Sequence, residues 1–154
     1  MRHVILAPLW LALILPTIAI AQVRINIPAQ HHRAQEEIHA KIENTGGRPV
    51  TFCVEFGQTS PKGGEIESTP SPFWVQRNSD GKWSTLIIGP DVGSIRAAVV
   101  LGARESKDFP FRLNNSGRIR LRLNYWRGSI PNLDCHAPPK DLKLVTSAVF
   151  TIDQ

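Results

Sequence analysis

The chain has 154 residues, of which 42% are hydrophobic and 20% are charged, a composition typical of a folded protein with one domain. Its formal net charge of +5 is a mild excess. The basic residues do not gather into the runs typical of nucleic-acid binders, and we therefore exclude a nucleic-acid partner.

The first predicted element is a secretory signal peptide at residues 1–21. A short polar start precedes a long run without charged residues, which Pro16 interrupts near its end. Ala19 and Ala21 place small residues at the −3 and −1 positions that a signal peptidase requires. The alternative is an uncleaved membrane anchor, because the run is just long enough to span a bilayer. Cleavage predicts a secreted or periplasmic protein with no stable membrane insertion.

The sequence after residue 21 predicts strands and turns. Residues 22–35 are polar with weak alternation and predict an N-terminal arm or an edge strand, whereas residues 36–154 predict the domain itself. Apolar residues occupy every second position in residues 37–43 and again in residues 50–56, the period of a half-buried strand. The turn signals of residues 44–49 lie between them, so we expect an antiparallel hairpin.

Further strands follow in the middle of the chain. Residues 73–77 and 82–88 flank a polar turn and predict a second hairpin. Two short strands are predicted at residues 97–101 and 109–113, and Pro110 in the latter indicates an edge or bulge position.

The clearest strand covers residues 118–125, and the β-rich residues 143–152 close the domain. Two long polar segments, residues 57–72 and 128–141, read as loops. Seven to nine short strands and no convincing amphipathic helix predict an all-β fold, a single antiparallel β-sandwich after the signal peptide.

Cys53 and Cys135 are the two cysteines of the chain. In an oxidising compartment such a pair most simply forms one disulfide. A catalytic thiol or two metal ligands are the alternatives, although two cysteines so far apart make no zinc motif by themselves. If the alternating apolar residues of 50–56 face the core, Cys53 points outward.

Three stretches resemble bacterial immunoglobulin-like domains: residues 101–113 (LGARESKDFPFRL), residues 116–121 (SGRIRL), and residues 42–46 (IENTG) before the next strand. The resemblance implies an immunoglobulin-like β-sandwich. It departs from immunoglobulin domains proper, since Ile119 stands where their tyrosine would be and Cys135 follows the strand in a loop. The resemblance therefore implies an architecture and no particular function.

A candidate binding surface lies on the strand at residues 118–125. Its members are Arg118, Arg120, Arg122, Trp126 and the adjacent Arg127. Alternation places the first three on one face, about 7 Å apart, where guanidinium groups can hold carboxylates or phosphates. With a tryptophan able to stack on a sugar, the surface suits an anionic polysaccharide or an acidic protein. The alternative is a solvated face whose arginines pair with acids such as Glu55 or Asp108.

The sequence offers no catalytic residues. It contains no G-x-S-x-G motif and no phosphate-binding glycine loop, and a disulfide would remove both thiols as nucleophiles. We therefore predict a non-enzymatic module with a binding or structural role in the cell envelope or outside the cell, without cofactor. The alternative is a small extracytoplasmic enzyme or a protease-inhibitor-like protein that acts through its long loops.

Histidine and tryptophan side chains are further candidates for ligand contacts. Candidate metal ligands are His31 and His32, together with Asp134 and His136 beside the second cysteine. Their spacing matches no known metal-binding motif. We therefore predict no metal site. The tryptophans Trp74 and Trp83 are expected to pack in the core or to be half-buried.

Overall fold

The computed structural model describes residues 22–56, 71–86 and 95–154. The predicted signal peptide, most of the loop at residues 57–72 and the last two residues of the strand predicted at residues 82–88 lie outside these ranges. The described part contains no helix, and hence no helical segment able to cross a membrane.

The described residues contain eleven β-strands. In chain order they are β1 (Val23–Asn26), β2 (His31–Arg33), β3 (Glu37–Asn44), β4 (Val50–Phe56), β5 (Phe73–Ser79), β6 (Lys82–Thr85), β7 (Ile95–Leu101), β8 (Ser106–Arg112), β9 (Gly117–Arg127), β10 (Lys143–Thr146) and β11 (Phe150–Asp153). The predicted all-β fold class is confirmed. The number of strands exceeds the predicted seven to nine because residues 22–35 form two strands and residues 143–152 are divided.

The strands form two sheets that enclose one core. The smaller sheet has three strands in the order β1-β3-β8, and the larger has eight, with the path β2-β11-β9-β4-β7. Strand β10 pairs with β9, and β5 pairs with both β6 and β9. Alternating apolar side chains from both sheets meet between them, with Ile42, Phe52 and Leu121 among the fully buried ones. This is a β-sandwich of the immunoglobulin-like class, stabilised chiefly by burial of apolar surface.

The predicted hairpin between β3 and β4 is wrong. Strand β3 pairs with β1 and β8 in the smaller sheet, whereas β4 pairs with β7 and β9 in the larger one. The fully buried Asn44 fixes this crossing, since its amide nitrogen donates to the carbonyl oxygens of Arg48 and Gly102, each at 2.8 Å, and its oxygen accepts from the Gly46 amide. A short polar turn therefore joins two sheets here instead of two paired strands.

The second hairpin is confirmed. Strands β5 and β6 pair antiparallel, and the turn between them contains Asp80 at φ 53° and Gly81 at φ 82°. Two successive residues with positive φ form the kind of two-residue turn that matches the right-handed twist of the flanking strands. The predicted edge position of Pro110 is also confirmed, because β8 ends the order of the smaller sheet.

The larger sheet is not wholly antiparallel, which corrects the prediction. Strand β2 pairs with β11 in parallel register, His31 opposite Thr151. Only four residues separate β2 from β1, so β2 continues in the same chain direction after passing from the smaller sheet to the larger. In the larger sheet β2 therefore lies beside β11 with both strands running in the same direction.

Strand β9 is the centre of the larger sheet and exchanges partners along its length. On one side it pairs first with β11 and then with β10; on the other it pairs with β5 and then with β4. Between β10 and β11 the Ser147 amide donates to the Leu121 carbonyl oxygen at 2.9 Å, and the Ser147 hydroxyl accepts from the Leu121 amide at 2.9 Å. A side-chain hydroxyl thus replaces one backbone acceptor, which is why the predicted strand at residues 143–152 is divided.

Candidate functional site

The outer face of β9 carries the predicted arginine row. Ile119, Leu121 and Leu123 are fully buried on the core side. The alternating residues Arg118, Arg120 and Arg122 project from the other side of the sheet. Arg118 is exposed, and the other two are half-buried. We call these three residues the arginine row. Arg127 is exposed but belongs to the core-side positions at the end of the strand, so it does not continue the row.

Neighbouring strands hold Arg120 in place. Its Nε donates to Oε1 of Gln76 on β5 at 2.8 Å, and its guanidinium carbon lies 4.2 Å from the centroid of the Trp83 ring on β6. A guanidinium over an indole face gains cation–π attraction without losing its charge. Trp83 is half-buried, as the sequence predicted.

Arg122 lies opposite Trp74 of β5 on one side and Thr146 of β10 on the other. Its buried Nε has no hydrogen-bond partner within the described residues. None of the arginine row forms an ion pair with a carboxylate in that part of the chain. The acids named as alternative partners are engaged elsewhere: Glu55 pairs with Arg96 at 3.4 Å, and Asp108 contacts His39 on the smaller sheet. The row therefore presents positive charge.

The second long loop packs on the outer face of the larger sheet. The predicted Cys53–Cys135 disulfide is confirmed, with 5.8 Å between its Cα atoms, and it ties this loop to the outward side of β4. Cys53 points away from the main core, as its place in the alternation predicted. The Thr51 hydroxyl donates to the Gly128 carbonyl oxygen at 2.8 Å and accepts from the Ile130 amide at 2.9 Å. The loop is therefore held at its beginning and at the disulfide.

Trp126 is not an exposed member of the candidate surface, which corrects that part of the prediction. It is only 3% exposed and packs with Leu133 and Cys135 in a small second apolar cluster. Its indole nitrogen donates to the Pro139 carbonyl oxygen at 3.2 Å. Residues 128–141 cover it, so its ring face cannot receive a sugar.

Trp74 is exposed where the sequence predicted packing. Half of its surface is accessible, the largest exposed fraction among the exposed large hydrophobic residues of the described part. Because residues directly opposite each other share a sheet face, Trp74 stands beside Arg122 on the outer face. An exposed indole next to a row of guanidinium groups is the aromatic neighbour that Trp126 was expected to provide.

A groove opens where β9 changes its pairing from β5 to β4. It encloses a volume of about 250 Å³. We call it the fork groove; Glu55, Trp74, Arg96, Asn124, Trp126 and Pro138 line it, together with the disulfide. Beside the groove, an isolated bridge joins Glu55 of β4 to Ser71, which lies two residues before β5. The groove was not predicted, because it depends on which strands share β9.

The smaller sheet carries a separate charged cluster on its outer face. His39 contacts both Asp108 and Glu37, and Glu37 also accepts a hydrogen bond from Arg112 at 3.0 Å. The hydrogen bond with Asp108 is the main reason why the pKa of His39 is raised above its ordinary value. The hydrogen bond from Arg112 chiefly lowers the pKa of Glu37. These groups neutralise one another, in contrast to the arginine row.

The histidines that are candidate metal ligands do not lie together in the structure. His32 is buried, with its ring nitrogens near the Ala29 carbonyl oxygen and the Glu36 carboxylate. His136 lies in the second loop, where the Asp134 carboxylate accepts from its backbone amide at 2.9 Å. In the three described ranges no group of three or more histidine, cysteine or acidic residues could hold a metal ion.

No family model and no curated protein matches the sequence. Among solved structures, the chain is similar to the ASH/PapD-like domain of human CEP192 (PapD-like domain 7), at 11% identity and a TM-score of 0.36. The match covers 98% of this chain and 96% of that chain. A likeness of this size says nothing about function, which rests on the geometry of the site alone.

Proposed function

We propose that the protein is an exported, non-enzymatic binding module of the cell envelope or the extracellular space, which contacts an anionic partner through the outer face of its larger sheet. The observation that carries this proposal is the arginine row. Its three guanidinium groups share one face, and no carboxylate of the described residues pairs with them. An anionic polysaccharide or an acidic protein would supply the missing negative charge.

Export is part of the proposal and has its own support. The disulfide favours an oxidising compartment, and the apolar leader with its small-residue ending favours signal cleavage. We expect the amino-terminal sequence of the exported protein to begin at Gln22 or its cyclised form. Recovery of a full-length chain held in the membrane would contradict this expectation.

Charge removal from the arginine row tests the contact surface. We expect the double variant Arg118→Ser/Arg122→Ser to bind polygalacturonate or poly-glutamate about fivefold more weakly, a loss of about 1 kcal/mol for two ionic contacts at the protein surface. Its free energy of unfolding should stay within about 0.5 kcal/mol of the parent value, since neither side chain has a hydrogen bond or an ion pair to lose within the described part. Titration calorimetry at rising salt measures the first quantity, and urea denaturation the second.

The matched control is Arg24→Ser/Arg48→Ser, which removes the same charge from exposed positions outside the larger sheet. It should bind both polymers almost as the parent does. Affinity of the parent should fall as salt rises, because exposed charges are screened over about 8–10 Å near physiological ionic strength. Equal losses in both double variants, or an affinity independent of salt, would contradict the proposed surface.

A further inference from the structure

We propose that the fork groove is a subsite for one saccharide ring, so that the partner of the arginine row is an acidic polysaccharide and not an acidic protein. The choice of partner rests on the proposed function, whereas the groove rests on observations of its own. Four of them support it: an exposed ring face, unused polar atoms, a rigid floor and a fitting volume.

The ring face belongs to Trp74. It lines the groove and is 50% exposed, although an indole is among the side chains that gain most from burial. The negative face of its π system attracts the C–H groups that one side of a pyranose ring presents. The carboxylate side chains of an acidic protein have no such ring face to offer.

Polar atoms for the hydroxyl groups lie around the same space. The Asn124 side chain lines the groove, and its Oδ1 is buried without a hydrogen-bond partner among the described residues. A buried acceptor left unused destabilises the free protein and becomes favourable once a ligand donates to it. Glu55 and Arg96 form a long, partly exposed pair at 3.4 Å, which leaves acceptors and donors free for further hydroxyls.

The floor of the groove is fixed before any ligand arrives. Trp126 is buried and hydrogen-bonded, and the disulfide holds the loop that carries Pro138 against β4. A preformed floor reduces the conformational entropy lost on binding. The volume of about 250 Å³ lies just below the range of about 300–1,000 Å³ typical of sites for drug-sized ligands, which suits one ring.

The groove and the arginine row form one continuous surface. Trp74 stands directly opposite Arg122, and Asn124 is the next outward residue along β9. A chain with one ring in the groove would therefore continue over Arg122 towards Arg120. This arrangement places the acidic groups of the adjoining sugars over guanidinium groups.

Titration calorimetry with three probes tests the inference: tetragalacturonate, its neutral methyl ester and poly-glutamate. We expect Trp74→Ala to weaken tetragalacturonate binding about tenfold and to leave poly-glutamate binding unchanged, because only the sugar uses the ring face. Trp74→Phe keeps an aromatic face and should restore part of the affinity. The control Leu144→Ala removes another exposed apolar side chain of the same face, outside the groove, and should bind as the parent does.

The outcomes separate the inference from the proposed function. If Arg118→Ser/Arg122→Ser weakens binding of both acidic probes while Trp74→Ala weakens neither, the groove is not a subsite and the proposed function stands. If Trp74→Ala weakens binding of tetragalacturonate and of its methyl ester while the arginine variant leaves both affinities unchanged, the subsite is supported and the arginine row is not a contact surface. Absence of binding of every probe at millimolar concentration overturns both.

Discussion

Replacing Cys53 and Cys135 together by alanine is expected to lower the free energy of unfolding by about 4–5 kcal/mol. The disulfide joins residues 82 apart, and the chain-entropy model assigns a stabilisation of this size to so long a closed loop. Single domains have a total stability of about 5–15 kcal/mol, so the variant should lie near the limit of folding. Urea denaturation of the parent and the double variant measures the difference.

The parent protein in the presence of a reductant provides the control, because reduction breaks the same bond but keeps both cysteine side chains. Its free energy of unfolding should approach that of the double variant. A loss below about 1 kcal/mol in both would contradict the expected effect and show that the loop closure constrains the unfolded chain very little.

Trp126→Ala is expected to lower the free energy of unfolding by about 3–5 kcal/mol, as large-to-small substitutions of buried tryptophan do. The ring is 3% exposed and packs on Leu133 and the disulfide. Its indole nitrogen donates a hydrogen bond to the Pro139 carbonyl oxygen. Trp74→Ala makes the same chemical change at a half-exposed ring of the same sheet face and should cost about 0.5 kcal/mol or less. Urea denaturation of the two variants side by side provides the measurement.

Similar losses in the two variants would contradict the assignment of Trp126 to a second core. The two large effects should also be coupled, because Trp126 and Cys135 are in contact. In a chain without the disulfide, Trp126→Ala should cost less than in the parent, since the loop over the ring is then already loosened.

Alternation predicted the longest strands and which of their side chains face the core. The period of two in β3, β4 and β9 gave the buried residues, and the outward orientation of Cys53 followed from its neighbours Phe52 and Val54. Pairing was harder to predict. The turn after Asn44 has the composition of a hairpin turn, yet one of the carbonyl groups that fix it, that of Gly102, comes from a distant segment.

The two tryptophans show why the site was only half predictable. Trp126 occupies an outward position of β9, and nothing local indicates that residues 128–141 fold back over it. Trp74 lies between Phe73 and Val75, in an apolar run that predicts burial, but strand alternation turns it outward while Val75 enters the core. The arginines could be placed because all three lie on one strand, whereas the fork groove requires the order of strands.

The exchange of partners along β9 has a consequence for the order of folding. Its neighbours β4 and β5 precede it in the chain and β10 and β11 follow it, so the larger sheet is closed by contacts between distant segments. Such topologies fold in milliseconds to seconds, because the entropy of loop closure is lost before the contacts form. Among the described strands, β2 pairs in this sheet only with β11, so it stays unpaired there until Phe150–Asp153 has been synthesised. The larger sheet therefore cannot be complete before the segment that forms β11 has been synthesised.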